Sequence, residues 1–215
     1  MMFVNTRIKY TPQSLDEFVF SNEETRELAT AYASGHLERP LILHGVSGGG
    51  KSLLQSLIPN AIEGREASVQ VVKCADLKTA DDIHDLYGRN KQFNKTFTCE
   101  GQRFNYIVIE EFLFTNKRLI DAFKIELDET LGTDLTIIST NHIDKIDDGI
   151  LSRSEVLEIH PCKPHVFFPH AKKMFEAEKV QIDNAQLLKC LEVTYSLKAD
   201  NRKYYSAIEA MFRKI

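Results

Sequence analysis

No apolar run in this sequence approaches the ~20 residues that a membrane span requires. Its most apolar stretches, around Pro40–His44 and Leu135–Ser139, stop far short of that length. The opening MMFVNTRIKYTPQS lacks an apolar core followed by a small-residue cleavage site, so no secretory leader is expected and a cytoplasmic location is. Cysteine is scarce and dispersed. Cys74, Cys99, Cys162 and Cys190 form no C-x-x-C pair, where zinc sites bring their ligands in close pairs. Reduced thiols in a reducing compartment suit that pattern. The seven histidines form no H-E-x-x-H or other spaced ligand pair. Asn94-Lys95-Thr96 matches a glycosylation acceptor, which without a leader has no use. A basic excess is missing too. Lys and Arg number 27 against 31 Asp and Glu, a net charge of −4. That argues against a histone-like coat on nucleic acid and leaves room for a local basic face. There are no internal repeats and no low-complexity tracts.

What remains is an ordinary globular composition, 43% hydrophobic and 27% charged over 215 residues. A chain of this length fits one α/β core with a small appendage. It buries about 70% of the surface it exposes unfolded, so it needs no disulfide or metal staple. Short runs rich in Val, Ile and Leu predict strands at Leu41–His44, Val69–Lys73, Tyr106–Ile109, Leu135–Thr140 and Val156–His160. Helical patterns fall between them, at Glu23–Ala33, Lys51–Ile58, Asp81–Asn90 and Lys117–Thr130. The alternation predicts a parallel sheet with right-handed crossovers. After His160 the character changes. Pro161, Pro164 and Pro169 interrupt the chain, and apolar residues recur at helical spacing from Ala171 onward. Three short helices are expected there, which divides the chain into residues 1–162, an α/β domain, and 163–215, a helical domain.

Gly45-Val46-Ser47-Gly48-Gly49-Gly50-Lys51-Ser52 matches G-x-x-x-x-G-K-[ST] in full. It follows an apolar strand and opens a helix, the placement in which successive N–H groups and the helix terminus can surround phosphates. Lys51 would reach the phosphates, Ser52 would ligate Mg²⁺, and Leu53 continues the binding stretch. The segment also contains G-x-S-x-G, the nucleophile elbow of α/β hydrolases, in Gly45, Ser47 and Gly49. A hydrolase has no need of Lys51-Ser52 at the end of the loop, and nucleotide binding is the better reading. A ligand-free glycine turn is the remaining alternative.

A phosphate loop needs a second acidic strand end. Tyr106-Ile107-Val108-Ile109-Glu110-Glu111 supplies one, with Glu110 holding Mg²⁺ through its water shell and Glu111 polarising the attacking water. The next strand runs through Thr140 into Asn141, whose amide could orient that water or sense the γ-phosphate.

These three elements in order resemble an AAA+ ATPase. Lys9-Tyr10-Thr11-Pro12-Gln13-Ser14-Leu15-Asp16-Glu17 is similar to the K-Y-R-P-x-x-L-D-(D/E) opening of clamp-loader subunits. Leu151-Ser152-Arg153-Ser154 resembles their S-R-C motif, and Asp200-Asn201-Arg202-Lys203 the D-x-R-(R/K) of their helical lid, as in replication factor C and the T-even phage clamp loader. The likeness spans residues 9 to 210. It implies a P-loop AAA+ module with a five-stranded parallel sheet flanked by helices, then a three-helix lid. It implies Tyr10 and Pro12 bordering adenine, Arg202 as the lid arginine on the γ-phosphate, and Arg153 as a finger reaching a neighbour's ATP. Lys124 falls near a basic residue that links DNA to the ATPase site. ATP and Mg²⁺ are the implied cofactors. Sibling ATPase subunits, a sliding clamp and primer–template DNA are the implied partners, in a phage-encoded protein of a bacterial host's cytoplasm.

Three departures stand out. The loop has Val46 and Ser47 where the family has G-P-P-G-T-G, and the acid pair is Glu-Glu. The sequence also stops at Ile215, before the collar that holds such subunits in a ring, which implies a longer parent chain, a different assembly or a single working subunit. A superfamily-3-like helicase or helicase loader also uses a Glu-Glu pair and a Thr-Asn strand end, and a non-hydrolysing ATP-binding subunit is the third reading. Basic residues gather at Lys78, Arg89, Lys91, Lys95 and Arg103, and at Lys117, Arg118 and Lys124. They form either a DNA-tracking face or two solvated helical faces.

Overall fold

The computed structural model describes residues 5–96 and 101–213. By internal contacts these fall into two units. One comprises Glu27–Gly45 and Lys51–Glu158; the other comprises the chain up to Arg26, Val46–Gly50, and the segment from Ile159 onward.

The first unit is built on five parallel strands, β1 (Leu41–His44), β2 (Val69–Lys73), β3 (Asn105–Glu110), β4 (Asp134–Thr140) and β5 (Glu155–Glu158), in the order β2-β3-β4-β1-β5. β1 lies against β4 with Leu41 opposite Ile137, and β3 against β4 with Ile109 opposite Ile138. This register brings the carboxyl ends of β1, β3 and β4 to one edge, where open parallel sheets gather ligands. Ile42, Ile107, Ile109 and Ile138 pack with Ile83, Leu86, Tyr87, Leu119, Phe123 and Leu127 into one core cluster. Leu41, Leu43, Tyr106, Val108, Leu135 and Ile137, of the opposite parity, are buried as well, so both faces of the sheet are covered.

Local chemistry places the five helices that accompany the sheet. The α2 helix (Glu23–Ala33), of which this unit holds the part from Glu27 on, buries Ala29 and Tyr32, and α1 (Thr6–Tyr10) belongs to the other unit. The third helix, α3 (Lys51–Glu63), was expected to stop at Ile58 but runs through Pro59. Burial of Leu54, Leu57, Ile58 and Pro59 outweighs the one backbone bond that proline forfeits, and Gly64, at φ 64°, closes the helix instead. The fourth, α4 (Ala80–Thr96), also runs past its expected end at Asn90. It starts with a reciprocal cap: Thr79 Oγ1 accepts from Asp82 N at 3.1 Å, and Asp82 Oδ2 accepts from Thr79 N at 2.8 Å. The Lys78 N–H, which also donates to Asp82 Oδ2 at 2.9 Å, and the Thr79 N–H hold the Asp82 carboxyl below its ordinary range. The α5 helix (Lys117–Glu129) is capped by Asn116 and followed by the short α6 (Asp148–Leu151).

The second unit contains α1 (Thr6–Tyr10), a short helix that the sequence pattern does not reveal, with α7 (Pro164–Ala177), α8 (Asn184–Leu197) and α9 (Asn201–Phe212). The three helices expected here are present. The first begins at Pro164, not Ala171, and Pro169 lies inside it. A proline at the first helical position has no N–H to lose, and Phe167, Ala171, Met174 and Phe175 bury their side chains around Pro169. Phe167 stacks on Tyr204 with ring centroids 4.5 Å apart, and Leu187, Leu191 and Ile208 complete the core.

Candidate functional site

In the sheet unit, the site residues converge where β1 leads into the loop. Gly45 has φ 130°, a conformation that favours glycine. At the first position of α3, Lys51 donates from Nζ to the Gly45 carbonyl at 2.6 Å and to Asn141 Oδ1 at 2.8 Å. The chain thus holds the ammonium between the loop entrance and the end of β4. Asn141 Oδ1 is therefore a partner of the loop lysine. Ser52 follows, exposed at the helix terminus, with Leu53 half-buried behind it.

At the end of β3, Glu110 is half-buried and Glu111 exposed. Glu111 has φ 54°, the left-handed region that a residue with a Cβ adopts at a cost of about 1–2 kcal/mol. The turn is fixed by its successor, because Phe112 N donates to the Ser139 carbonyl at 2.8 Å and Phe112 is buried. Strain at this carboxylate is therefore maintained by the pairing of β3 with β4. Hard oxygen donors such as Ser52 and Glu110 suit Mg²⁺, which keeps most of its waters and needs no protein cage. Among the described residues no group of three His, Cys, Asp or Glu side chains could hold a metal by itself.

Arg153 follows α6 and is held on two sides. Its Nε and Nη2 donate to the two oxygens of Asp128 at 2.8 and 2.9 Å, and Nη1 donates to the Gly149 carbonyl at 2.8 Å. The same pair holds the Asp128 carboxyl below its usual range. Lys124 pairs with Asp121 at 3.0 Å and Asp147 at 3.5 Å, and Arg103 with Glu38 at 2.7 Å. Lys78, Lys117 and Arg118 are exposed, while the side chains of Arg89, Lys91 and Lys95 lie outside the described residues.

In the helical unit, Val46–Gly50 lie against the start of α9. Gly48 and Gly50 have φ 92° and 112°. A Cβ on Gly48 would stand 2.3 Å from Asp200, one on Gly49 2.8 Å from the Ile159 carbonyl, and one on Gly50 2.7 Å from the Phe18 ring. Close approach thus favours glycine at all three positions, and Gly48 and Gly50 also take backbone angles that favour it. A polyphosphate fits this backbone. Arg202 donates from Nη2 to Ser47 Oγ at 3.0 Å. Asp200, buried, caps α9 by accepting from Arg202 N at 2.9 Å and grips the guanidinium at 3.0 and 2.9 Å. Burial works against the Asp200 charge, but its bonds to Arg202 prevail and hold the carboxyl below its ordinary value.

Tyr10 is half-buried and donates its hydroxyl to Glu178 at 2.6 Å, while Lys9 pairs with the same oxygen. Pro12 is buried. Burial pushes the Cys162 thiol up to about 11, so it stays protonated. Among the described residues Cys74, Cys162 and Cys190 form no disulfide, and Cys99 and Asn94-Lys95-Thr96 lie outside the described side chains.

No model of a known protein family matches the chain. Curated relatives do. It is 23% identical over 207 residues to Replication factor C small subunit 1 of Pyrobaculum islandicum and 22% identical over 204 to the Replication factor C small subunit of Sulfolobus acidocaldarius. The likeness is to the AAA+ clamp-loader family. Each alignment takes in 94% of this chain and 60% or 61% of the relative, so the chain spans about three fifths of these proteins. Among solved structures, the Thermotoga maritima RuvB Holliday junction branch migration motor superposes with a TM-score of 0.58 at 16% identity, over 93% of this chain and 72% of that one. That likeness shows the fold alone, a five-stranded parallel sheet flanked by helices with a helical carboxyl-terminal region.

Within this clamp-loader likeness, the residues that the sequence reading did not single out as site residues are Asp128, Glu178, Asp200 and Asn201. Asp128, Glu178 and Asn201 act on residues far away in the chain, and Asp200 on the backbone and guanidinium of Arg202 two residues on. The N-cap pattern of Asp two residues before Arg202 is the one local signal that could have marked Asp200.

Proposed function

We propose that the chain is a P-loop ATPase subunit of clamp-loader type, with residues 1–162 binding nucleotide and 163–215 serving as the lid. One observation carries most of this reading: Lys51, at the amino terminus of α3, is held between the Gly45 carbonyl and Asn141. That geometry supports a phosphate-binding lysine coupled to the strand end that senses the γ-phosphate. ATP with Mg²⁺ supplies a phosphoanhydride whose transfer to water needs charge stabilisation and an oriented nucleophile. Gly45–Gly50 bind through backbone N–H groups, with Leu53 behind them. Ser52 and Glu110 hold the metal, Glu111 accepts the water proton's hydrogen bond, and Asn141 orients that water. Tyr10 and Pro12 border the base, and Arg202 approaches the γ-phosphate from the lid.

Arg153 works on a sibling subunit's nucleotide, with a sliding clamp and primer–template DNA as the remodelled partners. Lys117, Arg118 and Lys124 form the DNA-facing side, in a phage-encoded protein acting in a host cytoplasm. No helix among the described residues is long and apolar enough to cross a membrane. Steady-state ATP hydrolysis, measured with single-stranded DNA, then primer–template DNA, then sliding clamp, tests the reading. Stimulation that needs primer–template and clamp together supports it. Stimulation by single-stranded DNA alone points to a helicase-type motor, and binding without turnover to a non-hydrolysing subunit.

A further inference from the structure

A phosphate-binding loop works when its N–H groups face the anion, and something must hold its peptide planes in that orientation. In a trans peptide the C=O of one residue and the N–H of the next point in opposite directions. Where the carbonyls go therefore decides where the N–H groups go.

Two successive carbonyls of this loop go to one residue. Asn201, the first residue of α9, donates its backbone N–H to the Gly48 carbonyl at 3.1 Å. Its side-chain Nδ2 donates to the Gly49 carbonyl at 3.3 Å. The N–H groups of Gly49 and Gly50 belong to those two peptide units, so they point away from Asn201. The other end of the amide is also anchored, since Oδ1 accepts from Cys162 N at 2.8 Å. The amide thus has one side on the loop and one on the chain entering α7. The backbone N–H has a further reason to be there, because a first-turn helix N–H has no partner within its own helix.

We infer that Asn201 is a positioning residue for phosphate binding: it locks the Gly48 and Gly49 peptide planes so that the next two N–H groups face the nucleotide phosphates. The inference rests on the phosphate-loop reading above and adds a residue that touches no ligand. It sets polyphosphate affinity and leaves the chemical step alone, because the amide grips the back of the loop and not Arg202 or the attacking water.

Two substitutions test it in the full chain. Asn201→Ala removes all three side-chain bonds, to the Gly49 carbonyl, to Cys162 N and, at 3.7 Å, to Cys162 Sγ. Asn201→Asp keeps an acceptor for Cys162 N, and with it the fold of that junction, but cannot donate to Gly49. Binding of Mg·ATP and of inorganic tripolyphosphate is measured by calorimetry, with hydrolysis at saturating ATP and a melt without ligand. Loss of the loop-facing hydrogen bond predicts about 5- to 10-fold weaker binding in Asn201→Ala. The factor is the same for ATP and tripolyphosphate, and kcat stays within about twofold. Asn201→Asp weakens at least as much although it retains the Cys162 bond. Unchanged affinity in both folded variants overturns the inference. So does a fall in kcat with unchanged affinity, or a loss confined to ATP and absent for tripolyphosphate. If Asn201→Ala does not fold, Asn201→Asp alone decides by the same readings. Lys51→Ala is the control for the underlying reading: unchanged nucleotide affinity there removes the phosphate-loop assignment itself, whatever Asn201 does.

Discussion

Asp200 is the residue on which the start of α9 depends, and replacing it separates two contributions. As N-cap it accepts from Arg202 N at 2.9 Å, and as a carboxylate it holds Arg202 Nε and Nη2 at 3.0 and 2.9 Å. Losing the cap costs about 1 kcal/mol. Losing the ion pair costs at most about 1 kcal/mol more, because Arg202 is 47% exposed and solvent screens it. Asp200→Ala therefore loses about 2 kcal/mol, and Asp200→Asn, which still caps, about 1 kcal/mol. At about 2–4 °C per kcal/mol for a chain of this size, the melting shifts are about 4–8 °C and 2–4 °C. The pH dependence has a fixed sign. The folded-state carboxyl is held below its ordinary value, so its contribution is complete above about pH 4 and fades as pH falls through the depressed folded value. Thermal melts of the three proteins at pH 7 and at pH 3 provide the assay. Equal losses in the Asn and Ala variants at pH 7 would refute the capping argument, and a wild-type advantage undiminished at pH 3 would refute the charge argument.

Three further outcomes follow from the site geometry. Glu111→Gln keeps ATP binding while hydrolysis falls by about 10²-fold or more, and Glu111→Gly relieves the left-handed backbone, raising stability by up to about 1 kcal/mol while losing hydrolysis equally; stopped turnover assays and denaturant melts read both. Gly48→Ala meets Asp200 at 2.3 Å at φ 92° and so destabilises the helical unit and weakens ATP binding, measurable by melt and titration. Arg153→Ala binds ATP normally but hydrolyses it poorly, and mixing it with Glu111→Gln at constant total protein restores activity, whereas flat, additive rates across the mixture would exclude action in trans.

Much of this fold could be read from local pattern. β1 and β2 begin and end where their apolar runs do, because strands covered on both faces need continuous Val, Ile and Leu. Pro59 and Pro169 misled the helix boundaries, since burial of Leu57, Ile58, Phe167 and Ala171 outweighs a single missing backbone bond. The five-residue α1 is too short to show a period. At the candidate site, the glycine-rich loop, the acid pair and the strand-end Asn141 stand out in the sequence because each is a contiguous motif. What positions them was not. Glu178 meets Tyr10, Asp128 meets Arg153 and Asn201 meets Gly49 across long stretches of chain, and such pairings leave no trace in spacing.

The central claim is that Gly45–Ser52 holds nucleotide phosphates with Lys51 as the charge that binds them. Titration of Mg·ATP into the wild-type chain and into Lys51→Ala, followed by calorimetry, tests it most directly. The account predicts saturable binding at one site per chain in the wild type and affinity lowered by about 10²-fold or more in the variant, the loss of a charge-assisted phosphate contact in a screened site. Equal affinity in the two proteins, or no binding by the wild type, would contradict it.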